Sequence, residues 1–313
     1  MDPLSRKLVY RAVSSAALAA ASVGAATALA AQQAMPAGIS WQPDSLVQGS
    51  IVRLAFRPMS GSTVLQISGG VAGEQLHFEV DSTGSYWTLA GLPIDATERY
   101  AVSLTVRYAD RTDTVSVLLP VAPRNAPMER LTVAPQFGRP LDEALAARIA
   151  RERARSRQVS REAHQTPRLW TGPFVRPRES RVTGQFGRGR LYNGQVTGRH
   201  MGVDLAGDMG APVYAANDGV VALVADFYLA GKAIYIDHGA GLVTAYFHLS
   251  STDVWEGDLV SKGQQIGAVG ASGRVTGPHL HWVARYGEVT VDAESLLSVG
   301  AGSREWGVGA ELK

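Results

Sequence analysis

Two short spacings of histidine and aspartate stand out in the last third of the chain. His200 precedes Asp204 by four residues, and a single leucine separates His279 from His281. Residues two apart on a strand project to the same face of a sheet, so a strand through this second pair would present both imidazoles on one side. The first pair would share a face on a helix, but Gly202 between them favours a loop that runs into a strand.

A zinc ion suits this set of side chains. Zinc in proteins takes histidine nitrogen and carboxylate oxygen at ~2.0–2.2 Å, and catalytic sites combine about three protein ligands with a water molecule. His200, Asp204 and one of the two strand histidines would form such a set, and spacing alone leaves open whether that histidine is His279 or His281. The other histidine would lie beside the metal, where it could orient water or substrate.

The composition restricts the other kinds of chemistry. The 313 residues include no cysteine, which excludes disulfides, thiolate zinc fingers, iron–sulfur clusters and cysteine nucleophiles. A formal net charge of +2 gives no reason to expect a nucleic-acid partner, and we predict none. The length suits about two domains of ordinary globular composition.

The region that carries these histidines is predicted to be a compact β-domain. From Trp170 to about Leu297, short β-branched runs alternate with turns that contain glycine. Five of the chain's seven histidines fall in this region. The clearest runs are Val220 to Val224, Ala233 to Asp237, Leu242 to Phe247 and His279 to Ala284.

Five sequence segments stand out between Val182 and Leu297. They are TGQFG at 183–187, HMGVDLAG at 200–207, GAPVYAANDGVV at 210–221, IDHGAGLVTAYFHLS at 236–250 and VSKGQQIGAVGASGRVTGPHLHW at 260–282. Through these segments the stretch resembles the lysostaphin-like, or LytM-type, zinc endopeptidases that cut peptide bridges of bacterial peptidoglycan. The segments occur in the family's order, and the resemblance covers roughly 115 residues.

The resemblance implies roles for five residues. His200, Asp204 and His281 carry over as zinc ligands, and His248 and His279 carry over as catalytic histidines beside the activated water. His238 is common in the family without being a ligand, so we expect it to be structural or to line the groove. Because all five site positions are intact, the resemblance favours an enzyme over the relatives that have lost ligands and activate amidases. Independently of the resemblance, Tyr192 and Asn193, in the loop before His200, are candidates for an oxyanion contact or a groove wall.

An all-β module is predicted before this domain, from Ile39 to about Val121. Residues 100–108 alternate apolar and polar side chains, as expected for a strand with one buried face. Further predicted strands lie between clusters of turn residues, and about seven strands suggest an immunoglobulin-like sandwich without a disulfide. His77 is expected to lie on one of them, Leu76 to Val80, in a structural role.

A proline- and arginine-rich connector is predicted between the two β regions. After Pro140 we expect a helix with Asp142 and Glu143 near its positive end, and its apolar stripe would comprise Leu141, Leu145 and Ile149. Residues 123–190 contain fifteen arginines against six acidic residues. Such a block could bind an anionic polymer, but without interleaved aromatic stacking residues it favours a solvated surface, on which His164 would be exposed.

The first residues resemble an export signal. Three basic residues precede an uncharged, alanine-rich run from Ala12 to Ala31, and Ala28 and Ala30 supply the small side chains that a signal peptidase accepts. The alternative is an uncleaved anchor, since about 20 residues can span a bilayer. Either way, we expect the remainder of the chain in the periplasm or cell envelope, with no stable membrane insertion unless this segment is retained.

These expectations combine into one hypothesis, a zinc metalloendopeptidase that hydrolyses peptide stems or cross-links of peptidoglycan. Two alternatives remain open, a non-catalytic LytM-type regulator of another cell-wall hydrolase and an endopeptidase acting on a protein. The predicted fold is predominantly β, and the predicted parts are a signal peptide or anchor at 1–31, a β-sandwich accessory domain at 38–122, a helical connector at 123–168, the metalloendopeptidase domain at 169–298 and a tail at 299–313.

Overall fold

The computed structural model describes residues 38–59 and 61–299, so the predicted signal segment and nearly all of the predicted tail lie outside the described residues. Within residues 38–122, as described, the chain forms two sheets, ordered β1-β3-β7-β6 and β2-β9-β8-β4-β5. Their strands are β1 (Ile39–Gln42), β2 (Leu46–Val47), β3 (Ile51–Phe56), β4 (Val64–Val71), β5 (Glu74–Gln75), β6 (Glu79–Val80), β7 (Tyr86–Gly91), β8 (Arg99–Tyr108) and β9 (Thr112–Ala122).

The alternating pattern of residues 100–108 becomes strand β8. Val102, Leu104 and Val106 are each at most 1% exposed, whereas the residues between them face solvent. The strand predicted from Leu76 to Val80 is only partly right: Glu79 and Val80 form β6, but residues 76–78 are not in a strand, because the chain there passes from β5 in one sheet to β6 in the other. His77 therefore lies at a crossover between sheets.

The connector adds a strand and a long helix to the second β region. Strand β10 (Met128–Leu131) is followed by a 3-10 turn (Pro135–Phe137) and by α1 (Glu143–Glu162). The predicted helix is thus present, and the Asp142 carboxylate caps it by accepting a hydrogen bond from the Leu145 N–H at 2.8 Å.

The apolar stripe predicted for α1 is only partly right. Leu141 precedes the helix and is 47% exposed, and of the three predicted stripe residues only Ile149 is buried. The contacts come instead from the C-terminal half, where Val159 and the following Ala163 pack in a cluster that includes Tyr235 of the sheet beneath. The helix therefore covers one face of that sheet.

His164, predicted to be exposed, is mostly buried. Its side chain is 14% exposed, its Nδ1 lies 2.8 Å from His77 Nε2, and its Nε2 lies 2.9 Å from a Glu74 carboxylate oxygen. The ring also meets Tyr286 edge-on at 5.7 Å. The prediction was wrong because α1 ends against the junction of the two β regions.

The second β region is built around one large sheet, with path order β11-β14-β21-β18-β17-β16-β19. Three further strands attach to it, and β12 and β13 form a separate sheet with β10. The region's elements are β11 (Val182–Gly184), β12 (Gly189–Tyr192), β13 (Val196–Arg199), β14 (Val203–Ala206), β15 (Pro212–Tyr214), β16 (Gly219–Phe227), β17 (Gly231–Gly239), β18 (Leu242–Thr252), β19 (Leu259–Val260), β20 (Gln265–Val269), β21 (His279–Tyr286), β22 (Val289–Val291), a 3-10 turn (Ala293–Ser295) and α2 (Leu296–Val299).

The sheet's central strands are buried on both faces, which explains their continuous apolar runs. Strand β17 has a single exposed residue, Lys232, because the core lies on one side of the sheet and α1 packs on the other. Trp282 and Tyr246 are fully buried in this core. One continuous apolar core extends into the first β region, where Gly91 lies against Tyr286.

Within residues 38–59 and 61–299, neither helix combines the length and apolar character needed to cross a membrane.

Candidate metal centre and its groove

Three of the predicted site residues converge where strands β14 and β21 pair. His200 lies in the loop before β14, Asp204 is on β14, and His281 is on β21 directly opposite Asp204 in the antiparallel register. The loop-to-strand path expected around Gly202 is therefore present. The distances are 2.9 Å from His200 Nε2 to Asp204 Oδ1, 2.7 Å from His281 Nδ1 to the same oxygen, and 3.0 Å between the two nitrogens.

These three atoms have the chemistry and spacing of a divalent-metal site. They form a group of potential ligand atoms within 4.8 Å of one another. A tetrahedral ion with bonds of about 2.0–2.1 Å needs ligand atoms about 3.3 Å apart, so an outward shift of a few tenths of an ångström would admit it. The other nitrogen of His200, Nδ1, lies 2.8 Å from the carbonyl oxygen of Gln185, which directs Nε2 towards the centre.

Gly202 lets the strand bearing His281 approach closely. A Cβ atom at Gly202 would lie 2.5 Å from His281 Nε2 and 2.7 Å from the carbonyl oxygen of Trp282. Gly184 has the same relation to Asp204, because a Cβ there would meet Asp204 Oδ2. Neither position tolerates a side chain without displacing a residue of the cluster.

His248 and His279 stand beside the cluster. His248 is on β18, next to Phe247, which pairs with His281, and its ring centroid lies 5.0 Å from that of His279 and 5.7 Å from that of His281. The Nδ1 atoms of His248 and His279 each lie 2.8 Å from a backbone carbonyl oxygen, of Ser272 and Gly277 respectively. His279 Nε2 lies 3.5 Å from Asp204 Oδ1. All five residues singled out in the sequence are therefore neighbours.

The backbone of His248 is strained. Its φ angle of 64° lies in the left-handed region, which residues other than glycine rarely adopt. Strain of this kind persists only where the surrounding structure enforces it, and it is concentrated at functional sites. The Nδ1 contact with the carbonyl of Ser272, in the turn at Gly270–Gly273, is one contact that holds the ring in place.

Residues 198–293 match the family model of Peptidase family M23. The chain carries an M23 peptidase domain. The matched residues include all five of the site residues, so the whole cluster lies within the M23 domain.

Named relatives match about a third of this chain. The chain is 45% identical over 105 residues to the peptidoglycan DD-endopeptidase ShyA of Vibrio cholerae, a stretch that makes up 33% of this chain and 24% of that protein. It is 40% identical over 118 residues to the DD-carboxypeptidase/endopeptidase Mpg of Neisseria meningitidis, covering 37% and 27% of the two chains. The chain thus spans about a quarter of the length of these relatives.

One solved structure extends the likeness beyond the M23 domain. A Pseudomonas aeruginosa protein, named as a candidate M23 peptidase, superposes with a TM-score of 0.62 at 24% identity. The superposition covers 81% of this chain and 95% of that one, so the shared fold includes much of the first β region.

Burial and charge set the protonation of the M23 site. Burial alone would raise the pKa of Asp204, but hydrogen bonds from His200, His279 and His281 outweigh it and hold that pKa far below its usual range. Burial lowers the pKa of His281 to about 4 and holds that of His248 well below its usual value. Neutral imidazoles have the lone pair that a metal ligand or a proton acceptor needs.

Arg190 is a site residue that the sequence analysis missed. Its Nη2 lies 2.5 Å from Asp204 Oδ2, the carboxylate oxygen that points away from the histidines. Burial alone would lower the pKa of Arg190, but the opposing interactions, led by the negative charge of Asp204, together outweigh burial, so the pKa of Arg190 is raised. Glu129 lies 3.6 Å from Arg190 Nε and 2.6 Å from Arg188 Nη1. No local spacing indicates these contacts, because Glu129 belongs to the predicted connector.

The connector also supplies a wall of the groove. Strand β10 pairs in parallel with β12, with Met128 opposite Gly189 and Leu131 opposite Tyr192. A cavity of about 290 Å³ opens beside Asp204. Its lining residues are Glu129, Leu131, Val133, Thr183, Arg190, Tyr192, Asp204, Arg274, Val275, Thr276, Gly277, Pro278 and His279.

Three residues suggested by the sequence have distinct places around the groove. Tyr192 lines the cavity, whereas Asn193 binds the connector: its side chain accepts a hydrogen bond from the Val133 N–H at 2.9 Å and donates to the Val133 carbonyl at 3.0 Å. His238 is fully buried away from the groove, with its nitrogens 2.7 Å from the carbonyl oxygen of Asp218 and 2.8 Å from Thr244 Oγ1. Its environment is that of a structural histidine.

Proposed function

We propose that this protein is a zinc-dependent metalloendopeptidase that hydrolyses peptide cross-links of bacterial peptidoglycan. The observation that carries the proposal is the convergence of two imidazole nitrogens and one carboxylate oxygen within 3.0 Å of one another in an M23 domain. Relatives of that domain named as peptidoglycan DD-endopeptidases support the substrate class.

His200, Asp204 and His281 hold the zinc in this proposal, through Nε2, Oδ1 and Nδ1. The donor set suits zinc, since it lacks thiolates and joins two neutral imidazoles to one carboxylate. Bound zinc supplies Lewis acidity, which activates water at neutral pH and polarises the scissile carbonyl. Arg190 holds the second oxygen of Asp204, so that the first oxygen stays directed at the ion.

His248 and His279 transfer protons in the proposed reaction. In each ring a backbone carbonyl 2.8 Å from Nδ1 favours a proton on that nitrogen and leaves Nε2 to exchange one. Peptide hydrolysis needs two such transfers, one from the attacking water and one to the leaving amine, and two imidazoles beside one centre can serve both.

The rest of the chain is proposed to serve this site in the cell envelope. The alanine-rich segment at 1–31 directs export to the periplasm. The region at 38–122 is an accessory module, and the connector at 123–168 joins it to the catalytic domain at 169–298. Through Glu129, Leu131 and Val133 the connector completes the groove, so the substrate contacts more than the M23 domain alone.

A digestion experiment tests the proposed function. Purified full-length protein with zinc is incubated with cross-linked muropeptides, and release of amino groups is followed together with the masses of the products. We expect dimers to become monomers, and we expect a His248→Ala variant to retain its fold and its zinc but to release no amino groups. Zinc-loaded wild type that leaves every dimer intact would contradict the proposal and favour a regulatory role.

A further inference from the structure

Arg274 is a cation placed in the groove beside the candidate metal centre. It lies in the turn that leads into β21 and lines the same cavity as Asp204 and His279. Its guanidinium carbon lies 3.9 Å from the centroid of the Tyr192 ring, and the side chain is half-buried. Stacking on a fixed aromatic ring holds the guanidinium plane and leaves its N–H edge available to a ligand.

The Arg274 guanidinium has no carboxylate partner among residues 38–59 and 61–299. The two acidic residues that line the cavity are occupied by other arginines: Asp204 by Arg190, and Glu129 by Arg188 and Arg190. Burial lowers the pKa of Arg274, and the neighbouring charge of Arg190 acts in the same direction. A half-buried cation without a counter-ion costs stability, which a bound anion would relieve.

The charge of the cavity points the same way. The cavity is lined by two arginines and two carboxylates, whose charges cancel. A divalent ion at the metal centre would therefore leave the groove positive and attractive to an anion. Arginine binds a carboxylate through two parallel N–H···O bonds, an arrangement that lysine cannot provide.

We propose that Arg274 is a specificity-determining residue that binds a free carboxylate of the substrate peptide beside the scissile bond. The inference rests on the proposed function and narrows it, because the preferred substrate is a wall peptide that carries a free carboxylate and not its amidated form. Tyr192 acts as a positioning residue, since its ring supports the guanidinium.

Turnover of matched substrates gives the first test. Cross-linked muropeptides with a free diamino-acid carboxylate are compared with the same dimers amidated at that carboxylate. Loss of a charge-assisted hydrogen bond predicts that Arg274→Gln lowers kcat/KM for the free-carboxylate dimer by roughly 10- to 100-fold, mainly through KM. The same variant should change kcat/KM for the amidated dimer by less than about twofold, and Arg274→Lys should recover only part of the loss.

Arg151→Gln is the matched control. Arg151 is an exposed arginine of α1 outside the cavity, so its removal changes the net charge equally. We expect no change in the ratio between the two dimers for this variant. An equal loss with Arg151→Gln, or no loss with Arg274→Gln, overturns the proposal.

Peptide binding gives a second test that does not require hydrolysis. A synthetic stem tetrapeptide and its fully amidated form are titrated into zinc-loaded protein by calorimetry. The wild type should bind the free acid at least about tenfold more tightly than the amide, and Arg274→Gln should abolish that difference. Charge-selective binding without cleavage would refute the hydrolase while retaining the carboxylate site. Cleavage without charge selectivity would retain the hydrolase and refute the carboxylate site, and equal binding of the two peptides by the wild type would also refute that site.

Discussion

Asp204 and His281 face each other across the antiparallel pair β14 and β21, with Asp204 Oδ1 2.7 Å from His281 Nδ1. The register of two strands that are 77 residues apart in sequence therefore sets the spacing of two ligand atoms. His200 joins them from the loop before β14, so a single strand pairing assembles the whole cluster.

Replacing one ligand should remove the metal. We expect His281→Ala to reduce bound zinc from about one ion per chain to almost none, because two ligands alone bind zinc weakly. Circular dichroism should show a retained fold. The control is His77→Gln, which changes a histidine outside the groove and should leave the zinc content as it is. Full zinc binding by His281→Ala would show that the ion sits elsewhere.

A methyl group at position 202 should disturb the candidate metal centre although no ligand side chain is replaced. In Gly202→Ala the new Cβ would lie 2.5 Å from His281 Nε2, which forces the imidazole or the strand to move. We expect zinc affinity to fall at least about tenfold, measured by competition with a chelator. Gly198→Ala is the control, since its nearest contact would be 3.4 Å, from the Tyr192 ring. Equal affinities for the two variants would contradict this reading of Gly202.

Arg190 should increase the zinc affinity through its contact with Asp204. In Arg190→Gln the Oδ2 atom loses its charged partner, so the carboxylate can rotate, and changes of this kind typically cost about 10- to 100-fold in metal affinity. Arg199→Gln serves as the control, because Arg199 lies in the adjacent strand β13 and is exposed. An unchanged zinc affinity in Arg190→Gln would remove Arg190 from the site.

These residues show how much the sequence could predict. The spacings at 200–204 and 279–281 indicated a metal site, but they did not choose between His279 and His281. His248 was found only through the family resemblance, because a histidine near a strand end carries no pattern of its own. Arg190 could not be found, since it lies on β12, which pairs with β10 and β13, and contacts Asp204 of a different sheet and Glu129 of the connector.

The fold was predicted best where one face of an element meets the core. Strand β8 is an example, because its apolar and polar residues alternate. The burial of His164 and the pairing of β10 with β12 were missed because both depend on contacts between distant segments. A polar, arginine-rich connector also gives little periodic signal for such contacts.

Acid should weaken the fold through His238. Burial lowers its pKa from the ordinary value of 6.5 to about 4, so between these values the unfolded chain binds more protons than the folded one. The free energy of unfolding therefore rises with pH in this window and falls on acidification, by about 2 kcal/mol from pH 7 to pH 5 for this residue. Denaturant unfolding of His238→Gln at both pH values should show a loss smaller by that amount. Identical losses in wild type and variant would contradict the assignment.

The location of the metal tests the account most directly. Crystals of the full-length protein grown with zinc, measured at the zinc absorption edge, should show an anomalous peak at about 2.0–2.2 Å from His200 Nε2, Asp204 Oδ1 and His281 Nδ1. A zinc-saturated crystal with no peak at these three atoms, or with its zinc held by other residues, would contradict the account.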